Sequence, residues 1–240
     1  MKRNITRPLT LLLAVLLLVV ALPMPPATAA DLTPLFTCPN LAAAVRGVIF
    51  PPLPPTAPLT AAQAAAVTHL QARGRGITSL GGLEHLPNLL VFDVSENGLT
   101  AADFSVVPRL LRVDVSANPL TSLNIASNAN LTQLNAALTE LTTLNTASNP
   151  RLEILTIPGN PQLANWSVAQ NPELVQLNVS GNDLTSLNIA NNSQLQLLIA
   201  SHNRLSSVNI SHLAGLEMLD VSQIFTCTLR YGMAQLRLFE

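Results

Sequence analysis

The sequence has 240 residues, of which 12 are Lys or Arg and 13 are Asp or Glu, so the formal net charge at pH 7 is -1. This balance, with no basic stripe beyond the N-terminus, excludes the positively charged surface that binding to a nucleic-acid backbone requires.

The N-terminus has the organisation of a secretory signal peptide. Three basic residues among the first seven precede an almost unbroken apolar run from Leu9 to Leu22, and residues 27–29 have the small-x-small form of a cleavage site. The run is shorter than the about 20 residues of a membrane-spanning helix, so an uncleaved anchor is the weaker alternative. We therefore predict that residues 1–29 are removed. The mature chain is then expected to be secreted, on the cell surface or in a periplasm, without stable membrane insertion.

Residues 30–66 are predicted to form a small helical cap at the N-terminal end of the remaining chain. Asn40 is a candidate N-cap for a first helix that Gly47 closes. Thr60 to Gln63 has the pattern of a capping box that opens a second, alanine-rich helix. Five prolines between residues 51 and 58 predict an extended linker between the two helices. A cap of this kind shields the apolar end of a repeating structure.

From Val67 onwards, a motif of the form Leu-x-x-Leu-x-Val-x-x-Asn-x-Leu recurs at a nearly constant period. Apolar residues hold its fourth and sixth positions and alternate with exposed ones, as in a short strand with one buried face. A period of about 21 residues with this pattern is the signature of a leucine-rich repeat, in which each unit is one coil of a solenoid. The first positions of the eight units are Val67, Leu89, Leu110, Leu131, Leu152, Leu174, Leu195 and Leu216.

Asparagine occupies the ninth position of most units, with Arg75, Thr139 and Ile224 as the departures. An inward-facing Asn at the end of a strand can bond the backbone groups that a sharp turn removes from the sheet. We predict that this column is a structural ladder and not a catalytic or metal-binding site. Its members are Asn97, Asn118, Asn160, Asn182 and Asn203.

The second half of each unit repeats the pattern in a shorter form. Leu123, Ile125 and Asn128 in one unit have equivalents one period later, at Leu144, Thr146 and Asn149. No half-unit is long enough for a regular helix, which favours extended backbone on this side as well. The predicted fold is a repeat solenoid of about eight units over residues 67–223, β-rich with short strands on both faces.

Parts of the sequence resemble secreted bacterial leucine-rich-repeat proteins of the internalin type. Residues 76–89 are similar to the first repeat of these proteins, and residues 36–45 to the start of their cap. Later units, such as residues 120–128, are similar to the shorter variety of the repeat within that group. The resemblance covers roughly residues 36–222. It implies a solenoid fold and, in general terms, the binding of another protein or a matrix.

The outward side chains of the first-half strands form the predicted concave face. They mix apolar and polar groups with few charges, as do surfaces that bury well against another protein. Arg112, beside Asp93 and Asp114, is a candidate anchor for a partner. The alternative is an ordinary ion pair on a solvated sheet, which contributes about 0 to 1 kcal/mol. The candidate partner-binding residues are Val91, Asp93, Arg112, Asp114, Gln133, Ile154, Gln176, Leu197 and Met218.

The predicted convex face carries small polar side chains, which keep a flat sheet soluble. Thr121, Ser122 and Asn124 begin a lattice that recurs in later units and is interrupted at Ala164 and Asn165. Because a regular Thr lattice can order water, ice binding is a minor alternative function.

No catalytic constellation is apparent in the sequence. The four histidines lie in different units or at mismatched positions, and no cysteine or carboxylate completes a metal-binding set. Asp93 and Asp114 stack like the carboxylate pair of a glycosidase, but on an open sheet without a pocket. We predict that the protein is not an enzyme and uses no metal or cofactor. Cys38 and Cys227 flank the repeats too far apart for an intrachain disulfide, which leaves buried cap residues or intermolecular pairing.

Beyond Val221 the motif is lost, and residues 224–240 are predicted to be an irregular end, as in a truncated chain. A poorly covered last coil predicts end-to-end self-association. The favoured function is a secreted, non-catalytic module that binds a protein or a surface glycan. The alternative is a structural or vestigial scaffold that lacks its functional C-terminal region.

Overall fold

The computed structural model describes residues 30–49, 53, 57–164 and 166–224, with the backbone of residues 228–230 and 237–238. The predicted signal peptide, most of the proline-rich linker and Cys227 lie outside the described residues. Within them, the chain is a parallel β-solenoid with two short helices at its N-terminal end, which confirms the predicted fold class.

Nine of the strands form one parallel sheet, which we call the long sheet. The remaining four lie on the opposite side of the coils, the back face, where β3 pairs with β5 and β10 pairs with β12. In chain order the strands are β1 (His69–Gln71), β2 (Val91–Asp93), β3 (Ala101–Asp103), β4 (Arg112–Asp114), β5 (Ser122–Asn124), β6 (Gln133–Asn135), β7 (Ile154–Thr156), β8 (Gln176–Asn178), β9 (Leu197–Ile199), β10 (Ser207–Asn209), β11 (Met218–Asp220), β12 (Thr228–Arg230) and β13 (Arg237–Leu238).

The first eight strands of the long sheet occupy the third to fifth positions of the eight predicted units. The central residue of each strand is buried and its two neighbours point outward, as Phe92 does between Val91 and Asp93. Phe92 pairs with Val113, and the same pairing of like positions continues from coil to coil. Burial of each such apolar side chain contributes about 1.5 to 3 kcal/mol, which fixes the register because a one-residue slip would expose it.

Two helices and one 3-10 turn form the cap. The turn spans Thr33–Leu35, α1 spans Pro39–Gly47 and α2 spans Ala61–Ala65. The predicted capping box of α2 is confirmed. The Gln63 N–H donates to Thr60 Oγ1 at 3.3 Å, and the Thr60 N–H donates to Gln63 Oε1 at 2.9 Å.

The N-cap predicted at Asn40 is wrong. The N-cap is Cys38, and α1 begins at Pro39, two residues before the expected start at Leu41, because the fixed φ of proline suits the first helical position. The Asn40 side chain instead donates from Nδ2 to the Gly76 carbonyl oxygen at 3.0 Å. Asn40 therefore ties α1 to the loop after β1, a tertiary role that the local pattern does not reveal.

The Asn column beside the long sheet lies inside the turns that follow the strands. Asn118 is 2% exposed, and its Nδ2 donates to the carbonyl oxygens of Val94 and Val115, both at 3.0 Å. Its Oδ1 accepts the Leu99 N–H at 3.0 Å. One side chain thus satisfies backbone groups of its own coil and of the preceding coil.

A second Asn ladder lies under the back face, formed by Asn128, Asn149, Asn171 and Asn192, all fully buried. Asn149 Nδ2 donates to the carbonyl oxygens of Ile125 and Asn128, at 3.0 and 2.8 Å. The repeated half-unit therefore places a buried amide at both turns of the coil.

The oxygen atoms of this second ladder are unequally satisfied. Asn171 Oδ1 accepts the Thr146 hydroxyl of the preceding coil at 2.7 Å. The side-chain oxygens of Asn128, Asn149 and Asn192 have no donor among the described residues. The difference arises because Thr146 stands where the neighbouring coils have Ile125 and Val168, which carry no hydroxyl.

The back face carries strands only near its two ends within the described part of the chain. Between β5 and β10 no strand is formed there, although burial still alternates, with Leu144 and Thr146 buried and Thr143 and Asn145 exposed. The prediction of short strands on both faces thus holds at β3, β5, β10 and β12 alone. Alternating burial requires extended backbone, but it does not require hydrogen bonds between neighbouring coils. The sequence pattern therefore cannot distinguish a paired strand from an extended segment without pairing.

The segment after Ile224 is not wholly irregular, contrary to expectation. Leu229 of β12 pairs with Val208, one full period earlier, and Leu238 of β13 pairs with Leu219, slightly less than one period earlier. Both sheets therefore continue past the last recognisable motif. The shorter spacing on the long sheet breaks the period, which explains why the sequence pattern failed there.

We predict that Thr146→Val lowers the free energy of unfolding by about 1 to 3 kcal/mol, because Asn171 Oδ1 would lose its donor while remaining buried. The measurement is urea unfolding followed by circular dichroism. Val168→Thr is the reciprocal change, since it places a hydroxyl at the position from which it can donate to Asn192 Oδ1. It should cost clearly less than Thr146→Val, and equal losses would contradict this account.

A second prediction concerns the first ladder. Asn118→Ala should destabilise the chain by about 2 kcal/mol or more, because it leaves the Val115 carbonyl oxygen and the Leu99 N–H buried without partners, while the Val94 carbonyl oxygen keeps Asn97 Nδ2 as a donor. Asn130→Ala, at an exposed position, is the matched control and should change stability by about 0.5 kcal/mol or less. Similar unfolding midpoints for the two variants would argue against a structural role for the ladder.

Candidate binding surface

The outward side chains of the long sheet stand in two columns. Third-position residues of successive units are direct neighbours, as in the pairs of Val91 with Arg112 and of Arg112 with Gln133. Asp93 and Asp114 are likewise neighbours in the fifth-position column. The nine candidate partner-binding residues therefore lie on one side of one sheet, spread from β2 to β11.

Six of the nine line a shallow depression of about 160 Å³ in the first half of the sheet. The other three lie farther along, on β8, β9 and β11. The six are Val91, Asp93, Arg112, Asp114, Gln133 and Ile154; the three are Gln176, Leu197 and Met218.

The two carboxylates in the depression are held by local hydrogen bonds. Asp93 Oδ1 accepts the N–H and the hydroxyl of Ser95, at 3.0 and 2.6 Å. Asp114 Oδ1 accepts the same groups of Ser116, at 2.9 and 2.6 Å, and its Oδ2 accepts Asn135 Nδ2 at 2.9 Å. These carboxylates therefore shape the turn after each strand. The Asp-x-Ser spacing carried this signal, which the sequence analysis missed.

Asp220, at the far end of the same column, makes the same turn. Its Oδ1 accepts the Ser222 N–H at 3.0 Å. Partial burial alone would raise the pKa of Asp220, but hydrogen bonds from Ser222 and from the Ser201 hydroxyl outweigh it and lower the pKa below its ordinary value. The carboxylate is thus kept ionised as a hydrogen-bond acceptor.

Arg112 is the cation of the depression. It is exposed and, among the residues that the structure describes, its guanidinium makes no ion pair and no hydrogen bond. The ion pair expected as the alternative is therefore not formed there, although Asp93 and Asp114 stand beside it. By contrast, Arg73 Nη2 lies 2.5 Å from Glu96 Oε1 at the rim of the solenoid. Arg112 retains all five of its donors for another molecule.

The C-terminal half of the long sheet is more apolar. Leu197 and Met218 are direct neighbours, and Ile199 lies beside them on β9. Met218 is 39% exposed and is one of six large apolar side chains that are exposed among the described residues. The outward surface therefore changes along its length, from the charged depression around Arg112 to an apolar patch of Leu197, Ile199 and Met218 that Asp220 borders.

The turns beside the long sheet hold a column in the left-handed backbone region. Most such residues in proteins are glycine or asparagine, but here Leu138 has φ of +54°. Leu138 is 65% exposed, and a Cβ added at the neighbouring Gly159 would lie 2.6 Å from its Cδ2. The only sign of Leu138 in the sequence is a leucine at the turn position.

The histidines and cysteines form no site in the described part of the chain. No group of three or more His, Cys, Asp or Glu residues there could hold a metal ion. His212 Nε2 lies 2.9 Å from the Ile189 carbonyl oxygen, one residue before the place where the back-face ladder would have its next Asn. Cys38 is buried at the start of α1.

A search for membrane spans within the described residues finds no helix that is both long and apolar enough to cross a bilayer.

Comparisons with known proteins place the fold. No family model matches the sequence, and no curated protein matches it significantly. Solved structures of proteins from Listeria monocytogenes do match. The functional domain of InlJ is 25% identical with a TM-score of 0.55 over 83% of this chain, which spans 53% of the InlJ chain. Internalin C2 is 22% identical with a TM-score of 0.57, covering 85% of this chain and 98% of that one.

The InlJ domain is described as including a cysteine ladder. The present chain has two cysteines in all, and its buried ladders are built of asparagine. The parallel sheet, the short coil and the helical cap are nevertheless those expected of the internalin type. The chain therefore has the fold of a leucine-rich-repeat solenoid, similar to that of these internalins.

Proposed function

We propose that the mature chain is a secreted, non-catalytic module whose long sheet binds another protein. The observation that carries the proposal is Arg112, an exposed guanidinium without a described partner in a depression on an open sheet. Arg is among the residues that contribute most to protein interfaces. The organisation of residues 1–29 supports secretion, and the likeness to internalins supports binding as the role of the repeats.

Two parts of the long sheet would make different contributions to such an interface. Arg112 offers directional, charge-assisted hydrogen bonds to a carboxylate on the partner. Leu197, Ile199 and Met218 offer apolar surface, which contributes in proportion to the area removed from water. At about 4.8 Å per strand, Arg112 and Met218 are about 24 Å apart. A partner that reaches both has an acidic group at one end of its contact surface and an apolar patch at the other.

A surface glycan is the less favoured ligand of this sheet. The outward columns of the long sheet carry no Phe, Tyr or Trp in the described residues, so they lack a large flat apolar ring on which a sugar could stack. Ice binding by the back face is also less favoured, because its strands are interrupted between β5 and β10. A purely structural scaffold, with a functional region elsewhere in a longer protein, is the main alternative.

We further propose the following division of the chain. Residues 1–29 are a signal peptide, residues 30–66 a cap and residues 67–223 the solenoid. Residues 224–240 are its C-terminal end. In this division β12 and β13 extend the solenoid into its last segment. The outer edges of these strands are where end-to-end self-association would occur.

Charge reversal at Arg112 tests the proposed function. The mature chain is used to capture proteins from its natural surroundings, and the affinity of each captured partner is measured by biolayer interferometry. Arg112→Glu should weaken binding by about 30-fold or more, as expected for a central interface Arg, and Met218→Ala by a smaller factor. Arg151→Glu is the matched control, because Arg151 is exposed and bonds Asn130 beside the sheet.

The outcome that contradicts the proposal is an affinity unchanged by Arg112→Glu and Met218→Ala for every captured partner. The long sheet would then be a scaffold surface, and the structural alternative would be preferred. Circular dichroism of each variant shows whether the solenoid is still folded.

A further inference from the structure

The turns that follow β6 and β7, which we call the middle turns, differ from the other turns beside the long sheet. In the other coils after the first, the seventh position of the unit is a serine, and Ser95 Oγ, for example, donates to Asp93 Oδ1 at 2.6 Å. In the middle turns this position holds Ala137 and Pro158, which have no hydroxyl. Apolar atoms therefore replace a polar group in these two turns alone among the described coils. The serines are Ser95, Ser116, Ser180, Ser201 and Ser222.

The next residue, Leu138, has a backbone conformation that does not suit leucine. Its φ is +54°, where the Cβ of an L-residue crowds the following carbonyl group and raises the free energy of the fold. Gly159 and Gly181 occupy the same position in the next two coils, so the fold accepts glycine there. Of the non-glycine residues at this position, Leu138 alone is large and apolar in the described chain. The others are Glu96, Ala117, His202 and Gln223.

The side chain of Leu138 lies mostly in water. It is 65% exposed, the largest fraction for any large apolar side chain among the described residues. A Cβ at Gly159 would lie 2.6 Å from Leu138 Cδ2, so glycine in the next coil leaves room for the leucine. A strained and exposed leucine contributes little to folding, and strain of this kind is concentrated at functional sites. Its burial by another molecule would remove apolar area from water.

The backbone of the middle turns can be covered without leaving these polar groups unpaired. The Ala137 N–H donates to Asn135 Oδ1 at 3.1 Å, and the Ala137 carbonyl oxygen accepts the Ala117 N–H at 2.8 Å. The Pro158 carbonyl oxygen accepts the Leu138 N–H at 2.8 Å. Because these groups are already bonded, a partner that covers them does not incur the cost of burying an unpaired polar group.

The middle turns are continuous with the depression that holds Arg112. Asn135 and Thr156 line that depression, and they are the fifth-position residues of the two coils that carry the middle turns. Leu138 follows Asn135 by three residues. From the rise per residue and the spacing between strands, the Cα atoms of Arg112 and Leu138 are no more than about 18 Å apart. A protein interface of ordinary size, about 800 Å² on each partner, covers both.

We propose that Leu138 is a contact residue for the protein that binds the long sheet, and that its side chain fills an apolar pocket on that protein. This inference rests on the function proposed above and adds to the chemistry of the partner. The partner has a carboxylate opposite Arg112 and, within about 18 Å of it, an apolar pocket that accepts a leucine. Ala137 and Pro158 lie beside the leucine and complete the apolar contact.

The stability of two variants shows whether the fold needs Leu138. Glycine and asparagine both suit the left-handed region, so Leu138→Gly and Leu138→Asn relieve strain without removing a buried side chain. Their unfolding midpoints in urea should be equal to or above that of the unsubstituted chain. Leu134→Ala, which truncates a buried leucine of the same coil, is the control and should lower the midpoint.

Binding is measured by biolayer interferometry with the purified partners that the mature chain captures and whose affinity Arg112→Glu weakens. Leu138→Gly and Leu138→Asn should each weaken binding about tenfold or more, because the buried apolar area of one leucine is lost. Leu138→Met keeps an apolar side chain and should stay within about threefold of the original affinity. His202→Gly is the matched control, since His202 is exposed at the same left-handed position three coils farther on, and it should leave the affinity unchanged.

Unfolding midpoints of Leu138→Gly and Leu138→Asn that both fall clearly below that of the unsubstituted chain would assign Leu138 to the fold and overturn the proposal. Unchanged affinity of both variants, for partners that Arg112→Glu weakens, would overturn it and leave the function of the long sheet intact. Partners that respond neither to Arg112→Glu nor to the Leu138 variants would overturn both. Self-association in sedimentation that Leu138→Asn abolishes, with partner binding unchanged, would identify a second copy as the occupant instead.

Discussion

Buried side-chain amides at the two turns of each coil are the interaction on which the rest of the structure depends. A sharp turn removes backbone groups from the sheet, and each one left buried and unpaired costs about 1 to 3 kcal/mol. Asn203 shows the solution, since its Nδ2 donates to the carbonyl oxygens of Val179 and Ala200, at 2.8 and 3.0 Å. Because one amide spans two coils, the length of the coil is held nearly constant from one unit to the next.

The ladders divide the residues of each coil into those that hold the fold together and those whose side chains remain available to contact a partner. Inward positions are committed to the apolar core and the ladders, and the fifth position of the long sheet is partly committed to turns, as Asp114 is to Ser116. The third-position residues Arg112 and Met218 take part in neither the core nor a turn, so the fold does not require a particular side chain there. A solenoid built in this way presents a rigid row of side chains whose spacing is set by the strands. Recognition by the long sheet would therefore depend on which residues occupy that row.

The sequence predicted the solenoid, the strand positions and the capping box because each depends on local periodicity or on a short fixed spacing. It mispredicted the N-cap at Asn40, whose partner Gly76 is distant in sequence. It predicted short strands on the back face, but paired strands form there only at β3, β5, β10 and β12 among the described residues, because alternating burial does not require pairing. It also gave no sign of the close approach of Gly81 to Thr37 of the cap, where the Thr37 N–H donates to the Gly81 carbonyl oxygen. Long-range contacts of this kind leave no periodic trace.

Periodicity alone determined that this chain forms short coils of regular length with a buried apolar core and inward asparagines, because each unit must cover the apolar face of the next. The tertiary structure decided which charged groups are left without partners. Asp93 and Asp114 turn to the serines that follow them, so the guanidinium of Arg112 is left unpaired in the described structure. The position of a side chain in a column is encoded in spacing. Its hydrogen-bond partners depend on rotamers and on neighbouring coils, which spacing does not specify.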